Sequence, residues 1–404
     1  MPALSDVAWI YIILTGLYLF ESLAWVSSGA VAIRSYFGRF RCPTRTHRLL
    51  GNDAGYLPTF GIAPFDATLI AESCPISVAR EGVYGYVAGS LVGVDAGVDS
   101  GPASWLYCPW DRIGEIKVVD RELRLDGKML CRLSTAGAAR SLAGSLSEIA
   151  GQPQQEREVA ISRFVARQFD TQPIQDRIDA WRAATRRLRF VSLLLFCWIF
   201  PVGIARYQGW LPGFSDVETI AVYLAIVLLL WWLCSGLMFY GHRRLYPGDR
   251  PQRWKLFLTS LVSPAAAMRS PDHLARRLVG ISHPVAVAAA FCADDEVCQW
   301  TGRLARDLLF PKPPQGVPAE SSYGTDEVAI GIVRQYREAS LAALWAFAKE
   351  RGFDLEPLLS QPQRDDPQAV SYCPRCHQEF SLVASRCGQC GDLPTIEYRQ
   401  VDWG

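Results

Sequence analysis

The residues best placed to do chemistry lie near the C-terminus. They read Tyr372-Cys373-Pro374-Arg375-Cys376-His377 and, after ten residues beyond Cys376, Cys387-Gly388-Gln389-Cys390-Gly391. Two cysteines separated by two residues close a tight knuckle that aims both sulfurs at one point. Two such knuckles supply the four thiolates of a tetrahedral zinc site. Pro374 presets one turn, and Gly388 and Gly391 let the backbone approach closely in the other. Cys373, Cys376, Cys387 and Cys390 are therefore the expected ligands of one zinc ion. Four protein ligands leave no position for water or substrate, so the zinc is expected to be structural. Two disulfides, a redox pair or an iron–sulfur cluster would use the same thiols; a reducing compartment argues against the disulfides. His377 directly follows a ligand and is not expected to be a fifth one.

Little else in the chain has the spacing of a catalyst. No phosphate-binding P-loop, dinucleotide GxGxxG, zinc-protease HExxH or GxSxG elbow occurs. Eight further cysteines are isolated, as expected of small apolar residues. Asp294-Asp295-Glu296 is expected to open a helix, favoured by its dipole, rather than to work with His283 as an acid–base set. Lys and Arg number 41 against 40 Asp and Glu, so no general basic field gathers nucleic acid, and none is expected as a partner. Twelve cysteines in 404 residues are too sparse for a secreted disulfide scaffold. Arginine far outnumbers lysine and Asn52 is the only asparagine, a bias that points to a GC-rich bacterial source.

Hydropathy supplies the positioning elements. Half the residues are apolar, and three stretches are long enough to enter a hydrocarbon core roughly 30 Å thick. Residues 7–33 contain no Lys or Arg and carry Glu21 in their interior. Residues 190–211 include Pro201 and end on Arg206 and Trp210, which suit the headgroup belt. Residues 217–240 contain the uncharged run from Thr219 to Tyr240. Arginines cluster after the first stretch (Arg34 to Arg48), before the second (Arg177 to Arg189) and after the third (Arg243 to Arg253). All three clusters fall on one face, which the positive-inside rule makes cytoplasmic. The expected topology has three transmembrane helices, the N-terminus outside and the C-terminus inside, in the plasma membrane. A cleaved leader is not expected, because the start lacks positive charge. Residues 256–268 form a fourth apolar stretch, too short to cross and interrupted by Pro264, and read as an interfacial or core helix, with a re-entrant or true fourth span as the alternative.

Two regions are expected in the cytoplasm. Residues 55–150 alternate with period two and end in an amphipathic helix whose stripe is Ala138, Leu142, Leu146 and Ile149. Leu123 and Leu125 before Asp126-Gly127, and Met129, Cys131 and Leu133 after it, predict a hairpin. Ala88 to Ser104 reads as a Gly/Ser-rich loop. The meander, with Trp110-Asp111-Arg112-Ile113-Gly114-Glu115-Ile116 and Leu123-Arg124-Leu125-Asp126-Gly127, resembles the pleckstrin-homology-like folds of bacterial membrane proteins; another small β-barrel shares the pattern. Residues 153–189 form a helical connector. Residues 241–360 read as helical, with helices over Pro271–Ala290, Asp294–Leu309 and Thr325–Arg351, the last ended by Gly352. Gln361 to Gln368 is a polar linker.

The tail, residues 370–400, resembles the zinc-ribbon family, whose knuckles carry the same Cys-Pro-x-Cys and Cys-Gly-x-Cys-Gly forms. Such modules commonly dock partners, so the resemblance implies a protein partner for this end. The fold class is then a multi-domain integral membrane protein with three transmembrane helices, a β-rich domain, a helical region and a zinc ribbon. Its expected role is a membrane-anchored scaffold, sensor or recruitment protein without catalysis of its own. The alternative is a membrane enzyme or transporter component with a polar site at Glu21, Arg206, Glu218, His242 and His283, Glu21 being the one deepest in the bilayer.

Overall fold

A computed structural model describes residues 9, 12, 13, 15, 16, 32–36, 39–41, 68–70, 74, 76–87, 104–133, 135–208, 210, 217–275, 277–311 and 326–398. Of the expected first span, Trp9, Ile12 and Ile13 are helical and exposed, while Glu21 and most of the segment lie outside the described residues. Its end is corrected. Ala32 and Ile33 begin a strand, β1 (Ala32–Tyr36), which pairs antiparallel with β2 (Arg39–Arg41) and β3 (Thr68–Ile70). Ile33, a β-favouring residue, sits opposite Leu69, which is fully buried, so sheet pairing claims the end of this stretch from the helix.

Two three-stranded meanders follow. β4 (Ile76–Val78), β5 (Gly82–Val87) and β6 (Ser104–Pro109) form one; β7 (Ile116–Val119), β8 (Glu122–Leu125) and β9 (Lys128–Arg132) form the other. The loop expected at Ala88 to Ser104 lies outside the described residues, except that Ser104 opens β6. Asp126 and Gly127 turn the last hairpin with φ of 48° and 79°, the left-handed pair that a tight hairpin needs. The Asp126 carboxylate also accepts the N–H groups of Gly114 and Glu115 at 3.0 and 2.8 Å, tying the turn to the start of β7.

Strict alternation holds on β8 and fails on β9. Leu123 and Leu125 are buried, but Leu130 and Cys131 are buried side by side while Met129 is only half-covered. A bulge between Leu123 and Arg124 shifts the register and changes which face Met129 meets. Helix α1 (Ala136–Ala150) closes the meander. The Thr135 hydroxyl caps it by accepting from Ala138 N–H, and Ala138, Leu142, Leu146 and Ile149 face the core.

Helix α2 (Arg157–Arg167) leads to α3 (Gln172–Cys197), a single rod in which the expected connector and second span are continuous. A π-turn at Trp198–Val202, at Pro201, passes into the short α4 (Gly203–Tyr207). Proline cannot donate to the helical ladder, and the neighbouring helix supplies a donor here: Tyr223 Oη gives a 3.0 Å bond to the Trp198 carbonyl. Tyr223 belongs to α5 (Val217–Leu245). Among the described residues two helical stretches, Gln172–Ala205 and Ile220–Leu245, are long and apolar enough to cross a membrane. Only 28% and 17% of their most apolar windows are buried. The helix at the heart of a water-soluble core would be mostly covered. These two pack on each other through Leu188, Val191 and Leu195 against Cys234 and Met238, and leave Phe190, Leu194, Leu229, Trp232 and Leu233 outward.

The remaining helices are α6 (Arg250–Val262), α7 (Pro264–Met268), α8 (Ser270–Ala275), α9 (Pro284–Ala289), α10 (Asp294–Leu309), α11 (Asp326–Glu350) and α12 (Glu356–Leu359). The helix expected over Pro271–Ala290 is broken in two. Pro284 holds His283 extended (φ −62°, ψ 137°), which ends any helix arriving from upstream. Helix α11 stops where the sequence placed its end. Gly352 N–H bonds to Lys349 O and Phe353 N–H to Ala348 O, the paired bonds of a Schellman motif. The β-rich region shares one core with helices far along the chain: Ile76, Val83, Leu123, Leu142 and Ile149 pack in a cluster that also holds Phe164, Val285, Leu304 and Phe347.

Asp126→Ala should lower the thermal midpoint of the detergent-solubilised protein, corresponding to about 1–2 kcal/mol, because the acceptor of two N–H groups and a left-handed-tolerant residue are lost together. Asp126→Asn keeps both features and should unfold close to the parent.

Candidate metal centre

The cysteine-bearing tail is built from five two-residue strands. β10 (Ser371–Tyr372) pairs with β11 (Glu379–Phe380) and β14 (Ile396–Glu397); β12 (Arg386–Cys387) pairs with β13 (Leu393–Pro394). Strands this short cannot hold a sheet by pairing alone. Each cysteine pair sits at a turn between them. In the first, His377 N–H bonds to Cys373 O at 2.9 Å and Cys373 N–H to Gln378 O at 2.9 Å. In the second, Asp392 N–H bonds to Cys387 O at 3.0 Å. Both chains then leave the knuckle through left-handed backbone, at Gly391 (φ 73°) and at His377 (φ 63°). A histidine in that conformation is held there against its preference.

The result is a cluster of four sulfurs, from Cys373, Cys376, Cys387 and Cys390, all within 4.8 Å of one another and able to hold a metal ion. Cys376 and Cys387 are 3.6 Å apart. Bonds of ~2.3 Å in a tetrahedron place sulfurs ~3.8 Å apart, so this spacing fits a single central ion. It is far longer than a disulfide bond of ~2.05 Å. Cys373, Cys387 and Cys390 are buried, and Cys376 faces the surface. The thiols also show what the cluster lacks in itself. Cys373 is drawn below its ordinary value by a hydrogen bond from the Cys376 thiol, and Cys376 is pushed up by giving it. Four thiolates this close repel one another, and a dication is the natural means of holding them all deprotonated. The set is consistent with a zinc-ribbon segment.

Side chains from elsewhere fasten this segment to the helices. Arg375, inside the first knuckle, donates to Asp307 of α10 at 2.6 Å, with both side chains less than one-fifth exposed. Arg306 beside it reaches the Leu358 carbonyl at 2.6 Å. The Glu379 carboxylate accepts from Asp365 N–H and Asp366 N–H at 2.9 and 2.8 Å and from Tyr398 Oη at 2.6 Å. The hydrogen bond from Tyr398 comes first among the causes that hold the Glu379 carboxyl below its usual range. The stretch Gln361 to Gln368 is thus pinned by the strand that follows the first knuckle. The sequence spacing carries no sign of Arg375–Asp307, whose members are 68 residues apart.

The residues of the alternative polar site do not converge where they are described. His283 caps α9 by accepting from Val285 N–H at 3.3 Å, and its ring stacks on Phe169 at 4.5 Å. Burial drives its pKa down to about 4, so it is neutral. His242 is buried beside Tyr246, with ring centroids 5.0 Å apart, in the other core. Glu21 lies outside the described residues, as do the side chains of Arg206 and Glu218. Asp294, Asp295 and Glu296 occupy the first turn of α10, with Asp294 3.7 Å from Arg351, as expected of dipole-favoured acids. The isolated thiols of Cys74 and Cys131 are pushed up to about 11 and about 12 by burial, which suits packing rather than reactivity. Sequence reading missed one buried charge pair, Arg269 with Asp272, exposed by only 6% and 3%.

Metal analysis of the purified chain should give about one ion per chain, and Cys390→Ser should bring this near zero, because three thiolates lose the closed tetrahedron. Limited proteolysis of that variant should open residues 370–398 while the helical core persists. His377→Gly should raise the resistance of the same segment by about 1 kcal/mol, since glycine takes the left-handed backbone without strain.

No protein-family model matches this chain, and no curated protein or solved structure matches it either.

Proposed function

We propose that this chain is a membrane-anchored scaffold, sensor or recruitment protein that presents its β-rich region and its zinc-stabilised tail to a protein partner in the cytoplasm. The observation that carries this reading is the closure of the thiolate cluster. Four sulfurs surround one ion-sized space, so the ion serves to fold the segment and has no open position for chemistry. Zinc is the ion we assign, because four-thiolate sets from paired knuckles are its usual structural site, and the energy of binding supplies what five two-residue strands cannot.

The anchor consists, in this reading, of three spans: residues 7–33 up to the start of β1, residues 190–211 and residues 217–240. The arginine clusters set the N-terminus outside and the tail inside a bacterial plasma membrane. The outward apolar faces of α3 and α5 support membrane insertion. The latch of Arg375 on Asp307 supports a tail held at a fixed place relative to the helices rather than swinging on its linker.

Two measurements check the proposal. A membrane-impermeant thiol reagent applied to intact cells should label a cysteine introduced at Gly209 and leave one at Ser360 unreacted; the reverse pattern overturns the topology. Affinity capture from membranes should recover a protein partner with the full chain and lose it with Cys373→Ser or on removal of residues 361–404. Retention of the same partner without the tail overturns the assigned role of the tail.

A further inference from the structure

The segment read from sequence as an interfacial or core helix, with a re-entrant course as the alternative, doubles back on itself. Helix α6 leaves the end of α5 through Tyr246–Asp249 and runs back along it. Trp254 and Phe257 meet Phe239 edge-on at 5.0 and 5.3 Å. Further along, Trp231 Nε1 donates to the Ser260 carbonyl at 2.6 Å. Trp231 lies about 18 Å below Arg243 by helical rise, near the midplane of a hydrocarbon core roughly 30 Å thick. There the chain reverses at Ser263-Pro264. It returns through α7 and α8, where Ala265 to Met268 are fully packed, until Tyr246 Oη donates to Leu274 O at 2.6 Å at the level where α6 began.

We propose that residues 250–275 form a re-entrant helical hairpin whose tip, Leu258, Leu261 and Val262, is immersed in the acyl chains of the bilayer; this rests on the membrane reading of α3 and α5. Three observations favour hydrocarbon as the occupant of this surface. First, α6 sorts its residues along its length: Arg250, Arg253 and Lys255 lie at the base, and Leu256 to Val262 run uncharged to the tip, five of the seven apolar. A helix lying flat on a membrane would sort them around its circumference. Second, the hydroxyls near the tip are satisfied without water. Thr259 Oγ1 donates to Lys255 O and Ser260 Oγ to Phe257 O, each at 2.8 Å. Third, the reversal spends its backbone groups internally, as non-helical chain at membrane depth must. Ser263 N–H bonds to Thr259 O, its hydroxyl accepts from Ala266 N–H, and its carbonyl accepts from Ala267 N–H. The tip is exposed, Val262 by 79%, as are the outward apolar residues Leu229 and Trp232 of α5, against which α6 packs.

Photocrosslinking tests this on the full chain. A benzophenone amino acid replaces Val262, Leu229 of α5, or Val159 of α2, which is exposed but far from either candidate span. The protein is reconstituted in phosphatidylcholine–phosphatidylglycerol vesicles with deuterated acyl chains, irradiated, and read for lipid adducts by mass spectrometry. The expected result is adducts at Val262 and Leu229 at least about tenfold above Val159. Adducts at Leu229 with only background at Val262 overturn the hairpin and leave the membrane reading standing. Background at both positions overturns the membrane reading, and the hairpin with it. Leu258, on the same tip, takes the same label and gives the same readout should the Val262 variant fail to fold.

Discussion

Between Pro284 and Ala289 the chain is a short helix that water does not reach, and it is wedged between two cores. Val285 and Ala289 point into the cluster formed by the meanders, α1 and α11. Ala286 and Val287 point the other way, among Ile174, Ile178, Met268 and Leu278. Only short side chains let one helix touch both neighbours, and a larger residue there would have to move a packed wall. The entry to the wedge is fixed as well. His283 N–H bonds to Gln168 O at 2.8 Å, and the neutral imidazole caps the helix while lying flat on Phe169. The β-rich region and the apolar helices therefore meet through continuous packing rather than across a tether.

Helix α3 carries that connection outward. Its inner face runs from Ile174 through Trp181 to Leu195 without leaving the same core, while its outer face changes from charged to apolar near Phe190. One rod thus carries charged residues outward along its first half and apolar ones along its second. The buried pair of Arg269 and Asp272 sits against this rod's core, where a charge is costly alone and tolerable when paired. The Trp181 indole donates to Pro271 O at 3.3 Å, joining α3 to the start of α8 beside this pair.

At the far end, the thiolate cluster solves a different problem. Its five two-residue strands bury almost no apolar core, and a metal ion held by the four cysteines would supply that missing energy. Arg375 then joins the cluster to α10 by a charge-assisted hydrogen bond in a mostly covered setting.

Much of this was legible in residue order, because it depends on neighbours in the chain. The two knuckles, the Asp126-Gly127 turn, the Thr135 cap, the stripe of α1 and the two apolar helices are local patterns whose physics acts within a few residues. What the sequence could not decide depends on residues brought together from far apart. Pairing with β3 drew Ala32 and Ile33 into a strand, and a bulge in β9 put Leu130 beside Cys131 in the core. Packing against α5 turned a short apolar stretch back on itself, and Asp307 found Arg375. Such contacts carry no periodic signature, since each is fixed by which surfaces meet once the helices have packed, and tertiary structure alone decides that.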